Sequence, residues 1–562
     1  MKNSALLLSL FALIIASCSP TLPAGEPDAY QHIRFNQVGY YPSASKEFVV
    51  ANHEATSFLI LDEKGKEAFK GQLISQGKWD ASGETVLKGD FSKLAKAGNY
   101  SIQLNTGLTS ASFEIAPGVY GAALDASIKS FYFQRASMAI EEQYGGIYQR
   151  ASGHPDDRCI YHPSSGLNEG ILSSPGGWYD AGDYGKYVVN AALTVGQMLN
   201  LLELLPDAIP SDQLNIPESG NGIRDLMDEI RYELDWVATM QDEDGGVFHK
   251  LTALTFGGFI MPEEYNLDRY IIGKGTAASL NFAAVMAQTS RVYAEVDPDF
   301  SSEALIAAER AWDWALVNNE VPFRNPEDVV TGEYGDELFS DDFYWAAAEL
   351  YISTGKEEYE EYLANNEEPY QHQITSSWKF FVRNMGFHTL LINDKQIGEL
   401  TKKHLALSDE ILSKMEAIPY GISIDHFEWG SNSDVLNQAM ILCIAHHLSG
   451  EQRYLDGVLR NTDYIFGKNA TGYSFLTGFG SKQVMFPHHR PSGADAIDNP
   501  VPGFILGGPN KDKQDRQQVK YATGFPAKAF VDVQDSYASN EVCLNWNAPA
   551  VFVLGYLEQI IK

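Results

Sequence analysis

Ile223-Arg-Asp-Leu-Met-Asp-Glu-Ile-Arg-Tyr-Glu-Leu-Asp-Trp-Val237 carries Ile223, Leu226, Met227, Ile230, Leu234 and Val237 at steps of three and four. On a helix of about 3.6 residues per turn these side chains lie on one face and form an apolar stripe. The same period predicts helices near 119–142, 184–205, 222–241, 274–295, 302–319, 340–355, 356–366, 376–391, 395–414, 433–449, 451–467 and 541–561. About twelve amphipathic helices joined by long loops suit a closed ring of helix pairs with a site built from loops at one end. An open helical solenoid has the same periodicity.

Upstream the pattern changes at Pro117-Gly118. Residues 30–116 alternate with period two at Phe58 and Ile60, at Tyr100, Ile102 and Leu104, and at Phe113 and Ile115. Turn signals punctuate them at Asp62-Glu-Lys-Gly65, Gly83 and Ala97-Gly-Asn99. Several short strands at this spacing predict a small β-sandwich, read as structural support for residues 117–562. Lys2 and the apolar run Ala5 to Ala16 read as a signal segment over 1–18, too short to span a bilayer. Residues 19–29, rich in proline, read as a tether. Beyond Cys18, the cysteines Cys159, Cys443 and Cys543 stand far apart and indicate neither a disulfide framework nor a thiolate metal site. A formal net charge of −33 over 562 residues would repel nucleic acid and anionic polymers. A neutral substrate and a monomeric chain are the expectations.

Chemistry concentrates in three loops. Gly176-Gly-Trp-Tyr-Asp-Ala-Gly-Asp-Tyr-Gly-Lys-Tyr187 sets Asp180 and Asp183 three residues apart in a glycine-rich turn before a helical stripe. Both carboxylates can converge on one water, and a helix N-terminus would favour an ionised general base. Pro487-His-His-Arg-Pro-Ser492 alternates His488 and Arg490 in an extended segment, as donors to hydroxyl groups need. Phe530-Val-Asp532 and Ser536-Tyr-Ala-Ser-Asn-Glu-Val-Cys-Leu-Asn-Trp-Asn547 bring Asp532 and Glu541, the latter in apolar surroundings that would keep it protonated. Singly, Asp183 reads as a helix N-cap and the others as loop, cap or salt-bridge residues. Together, an acid from one loop and a base from another make the pairing that glycoside hydrolysis uses.

At these residues the sequence resembles the family-nine glycoside hydrolases (cellulase family E) from about Tyr30 to Tyr556. Ser474 to Arg490 matches one signature, with His488 as its histidine. Phe530 to Ala548 matches the other, with Asp532 and Glu541 as its acids, except that Cys543 stands where Ser, Thr or Ala is usual. Asn215 to Gly222, Asp244-Gly-Gly-Val-Phe-His-Lys250, Phe427 to Asn432 and Gly507 to Asn510 extend the likeness, and Ile33 to Pro42 resembles the opening of the immunoglobulin-like module that precedes such domains. The resemblance implies an (α/α)6 barrel and an inverting mechanism. Glu541 would be the acid, Asp183 the base and Asp180 a holder of the water, with the Glu541 and Asp183 carboxyls roughly 6.5–9.5 Å apart. His488, Arg490 and Asp532 would bind sugar or orient the acid, and Trp178, Trp429 and Trp546 would contact substrate. No cofactor is implied for catalysis. Thr331-Gly-Glu-Tyr-Gly-Asp336 with Asp341 and Asp342 resembles a region that binds structural calcium in relatives. A zinc site at His154, Cys159 and His162 is not expected, because Gln134-Arg-Ala-Ser137 stands where relatives have further ligands. Ile15-Ala-Ser-Cys18 resembles a bacterial lipobox, which implies lipidation at Cys18 and a place at the cell envelope. The expected activity is endo-β-1,4-glucanase on soluble or amorphous cellulose-type, mixed-linkage or xyloglucan chains. Exo-action on cello-oligosaccharides and a silent glycan-binding lipoprotein are the rivals.

Overall fold

The computed structural model describes residues 29–167, 169–209, 212–366, 373–393 and 398–561. Cys18, the rest of the signal segment and residues 19–28 of the tether lie outside the described residues.

Two four-stranded antiparallel sheets make the N-terminal sandwich. Strands β1 (Ile33–Arg34), β2 (Glu47–Ala51), β6 (Glu84–Asp90) and β5 (Ile74–Trp79) neighbour one another in that order. Facing them run β4 (Glu67–Gln72), β3 (Ser57–Asp62), β7 (Gly98–Leu104) and β8 (Phe113–Ile115). Alternation decides the core: Phe58, Ile60, Ile102, Leu104 and Phe113 all point inward against Phe48 and Val50.

Twelve long helices follow among the described residues. They are α1 (Gly121–Gln134), α2 (Val188–Leu204), α3 (Asp225–Thr239), α4 (Thr276–Val292), α5 (Pro298–Val317), α6 (Ser340–Thr354), α7 (Glu357–Asn365), α8 (Met385–Asn393), α9 (Gly398–Ala417), α10 (Ser431–Ser449), α11 (Gln452–Ile465) and α12 (Leu544–Ile560). The even-numbered helices pack on one another in sequence, and α12 packs back on α2, so the ring is closed and the open solenoid is excluded. Each odd-numbered helix lies outside, α1 against α12 and α5 against α4, for example. Inner helices are apolar nearly all round: Val188, Ala191, Ala192, Val195 and Leu199 of α2 are buried, and so are its polar Asn190, Thr194 and Gln197. Outer α3 buries Leu226, Met227, Ile230, Leu234 and Val237 as its sequence shows, but Asp225, Glu229 and Glu233 are buried with them, so its inward face is wider and partly charged.

The loops that enter the inner helices are long and lie at one end of the ring. There the chain builds a five-stranded sheet that the periodicity did not announce, ordered β10 (Ile171–Leu172), β9 (Cys159–Tyr161), β13 (Tyr270–Lys274), β12 (Phe248–Thr252) and β11 (Lys186–Tyr187). All five residues of β12 are buried, so there is no alternation to read. The C-terminal helix also joins the two domains: Glu558 accepts from Tyr41 Oη at 2.6 Å and from the Tyr120 N–H at 2.9 Å. On another side of that joint, Tyr420 Oη donates to Glu84 at 2.6 Å.

Candidate active site

Three backbone segments lie side by side to make the site. Ala181 pairs antiparallel with Cys543, and His488 pairs parallel with Glu541. The Arg490 N–H donates to the Gly182 carbonyl at 3.0 Å, and the Leu544 N–H to the Asp180 carbonyl at 2.9 Å. This closeness requires glycine at 182, because an added Cβ would sit 2.0 Å from the His488 carbonyl oxygen. Backbone pairing thus fixes the two acidic loops against each other.

Asp183 and Glu541 line one cavity of about 550 Å³, together with Asp180, Tyr187, Tyr334, His488 and Arg490. Burial holds the Glu541 carboxyl well above the usual carboxylate range, and the neighbouring Asp183 and Asp180 add to this while Arg490 opposes it. Asp183 accepts from the Gly185 N–H at 3.1 Å. The turn supplies this donor; α2 begins only at Val188, with Tyr187 as a cap whose side chain makes no capping bond. The expected help from a helix N-terminus is therefore replaced by the turn's own N–H.

Asp180 is pushed up to about 7 by burial, against the hydrogen bonds that it accepts. Those come from Asn190 Nδ2 at 2.5 Å and from Tyr334 Oη at 2.6 Å, with Cys543 Sγ at 3.9 Å. Cys543 thus sits on Asp180 and offers it a weak thiol donor. Tyr334 is held in the left-handed region at φ 47°. Lys250, from β12, pins that loop by donating to Thr331 Oγ1 at 3.1 Å and to the Gly332 carbonyl at 2.7 Å.

His488 Nδ1 donates to the Gln534 carbonyl at 2.7 Å, and burial lowers the ring below its ordinary value. The ring is therefore neutral with Nε2 as an acceptor, which reverses the donor role read from sequence. Arg490 opens a short helix, Arg490–Ala494; it spends Nε on the Gly257 carbonyl at 3.0 Å and Nη1 on the Gly182 carbonyl at 2.8 Å. Asp532 stays off the cavity wall and accepts from the Met485 and Phe486 N–H groups at 2.9 and 2.8 Å, which braces the segment leading to His488.

Residues 120–554 match the family described as Glycosyl hydrolase family 9, and residues 28–108 match the Cellulase N-terminal ig-like domain. The chain belongs to glycoside hydrolase family 9. Among family-nine relatives, the "Xyloglucan-specific endo-beta-1,4-glucanase BoGH9A" of Bacteroides ovatus is 39% identical over 99% of this chain and 98% of its own length. "Endoglucanase D" of Acetivibrio thermocellus is 32% identical over 99% of this chain and 86% of its own. The solved structure "Bacteroides ovatus GH9" superposes with a TM-score of 0.88, covering 95% of this chain and 100% of that one at 39% identity.

Within this family-nine cleft the tryptophans part company. Trp429 lines the cavity beside Tyr537, ring centroids 5.6 Å apart. Trp546 also lines it but is only 2% exposed, clamped under Gly430. Trp178 is 0% exposed and donates to Glu229 at 2.8 Å, so it is a core residue and the substrate contact read for it is corrected. Sequence reasoning missed Tyr334, Phe256 and Phe380. The two phenylalanines line the cavity yet stay 48% and 42% exposed, and no motif marks them. Tyr334 lies inside the stretch that was attributed to calcium.

Asp336 and Asp341 share a hollow of about 300 Å³ with Arg324 and Arg383, and burial with mutual repulsion raises Asp341 to about 7. Asp342 turns aside to Asn281. Among the described residues no three His, Cys, Asp or Glu side chains are disposed to hold a metal ion. His154, Cys159 and His162 go separately to Tyr179, the Asp156 carbonyl and Ser164.

Proposed function

We propose that this family-nine endo-β-1,4-glucanase cleaves its chain with inversion, and that branched, xyloglucan-type glucans are its preferred substrates. The observation that carries the mechanism is one cavity holding a carboxyl kept neutral by burial, Glu541, and a carboxylate held by a turn N–H, Asp183. Glu541 gives its proton to the glycosidic oxygen as the bond from C1 to that oxygen breaks. Asp183 takes a proton from the water whose oxygen bonds C1 from the opposite face, so the configuration inverts. Asp180, fixed by Asn190 and Tyr334, orients that water.

Two things support the branched substrate. Phe256 and Phe380 line the cavity with exposed apolar rings, which suit the C–H faces of side sugars. A full-length relative also carries xyloglucan in its name. Proton NMR of fresh cellohexaose and xyloglucan digests tests both parts. New reducing ends should appear first as α-anomers from mid-chain cleavage, with kcat/KM highest on xyloglucan. Initial β-anomers would overturn inversion, and a preference for unbranched chains would overturn the substrate.

Cys18 carries the lipid that keeps the enzyme at the cell envelope. Cys18→Ala should move it from the membrane to the soluble fraction.

A further inference from the structure

A second hollow, of about 500 Å³, opens on the surface at the C-terminal end of α5, apart from the catalytic cavity. Trp314 forms its wall. The indole lies flat on Gly246, where an added Cβ would be 2.5 Å from Cε2, and its Nε1 donates to Asp244 at 3.2 Å. One ring face is thus sealed and the plane fixed, so no rotamer freedom is lost when something covers the other face. Around it stand Asp313, Asn318, Arg310 and Val317, the last 83% exposed. Arg310 is tied through Nη2 to the carbonyls of Asp242 and Glu243 at 3.1 and 2.8 Å, and Lys274 already pairs with Asp244 at 2.9 Å. A fixed aromatic plane with a carboxylate, an amide and a guanidinium at its edge suits a neutral polyhydroxylated ring, which needs a flat face and both donors and acceptors.

Its position matters as much. The Asp244-Gly-Gly turn runs straight into β12, whose Lys250 pairs with Tyr187 of the catalytic cavity. Three residue steps lead from Val247 to Lys250, roughly 10 Å at 3.3 Å each. Downstream, α5 leads into the loop that carries Tyr334. The hollow therefore lies on the ring face that bears the cleft.

We propose that the Trp314 hollow is an accessory binding site for a strand of β-glucan, holding the polymer outside the catalytic cleft. It rests on the reading of β-glucan as substrate. The test uses the full chain with Glu541→Gln to prevent hydrolysis, run in native gels containing xyloglucan. Trp314→Ala, and Val317→Glu as a variant at an exposed position that leaves the core intact, should each weaken retention about fivefold. In the active enzyme the same changes should raise KM on the polysaccharide and leave kcat on cellotetraose unchanged. Retention that ignores both substitutions, while hydrolysis of β-glucan is normal, overturns the site and spares the function. Retention that depends on Trp314 in a protein that hydrolyses no β-glucan upholds the site and overturns the function.

Discussion

Asp156 and Asp180 lie in the same long loop between α1 and α2, both almost completely buried, yet they end in opposite states. Burial alone would raise Asp156, but Arg269 and Lys186 outweigh it and bring the carboxyl down to about 2. Arg269 Nε donates to it at 3.0 Å and Lys186 Nζ stands at 2.8 Å. Asp180 has no cation among its hydrogen-bond partners, only an amide, a phenol and a thiol, and it rises to about 7. Burial therefore does not decide the charge of a loop carboxyl in this enzyme; the neighbouring cations do. Asp156 is spent on structure, whereas Asp180 and Glu541, with no cation close enough to outweigh their burial, keep raised values inside the catalytic cavity.

Substitutions at the two kinds of carboxyl should separate rate from stability. Glu541→Gln and Asp183→Asn should each lower kcat about 10²–10⁴-fold with little movement of the thermal midpoint; a comparable loss of stability would put them with Asp156. Asp156→Asn leaves Arg269 and Lys186 charged and unpaired, and should cost about 3–5 kcal/mol in unfolding experiments while the folded fraction keeps most of its kcat. Tyr334→Phe removes a donor from Asp180, whose pKa then climbs beyond about 7. Its kcat should fall about tenfold at unchanged KM, and the acid limb of the rate profile should move to higher pH. The smallest effect separates the two aspartates by pH. Asp156 has a folded value below its ordinary one, so its contribution is complete above pH 4 and is lost as pH falls through about 2. Asp180 has a raised folded value, so its ionisation opposes folding as pH rises towards 7. Asp180→Asn should therefore raise the melting temperature slightly at pH 8 and leave it unmoved at pH 3.

These contrasts also show what sequence could carry. The helices were legible because Ile223, Leu226, Ile230 and Leu234 repeat at helical spacing, and the sandwich because Phe58 and Ile60 alternate. Strand β12 was hidden because Phe248 to Thr252 are all buried and alternate in nothing. Asp180, Asp183, His488 and Glu541 stand in dense loops that declare themselves. Phe256 and Phe380 come singly from other loops, and only folding brings them to the same cavity. Trp178 misled for the converse reason: it sits beside Asp180 in sequence, but its ring turns away onto Phe131.

The closing seam of the ring has a further consequence. The base-bearing turn precedes α2 and the acid precedes α12, the last helix, whose packing on α2 completes the circle. Contacts so remote in sequence form late and slowly in folding. A chain interrupted anywhere between Asp183 and Glu541 has half of its proton-transfer pair and an open ring. The enzyme thus cannot act before α12 has been made, and the order in which its residues are made serves as its own safety catch.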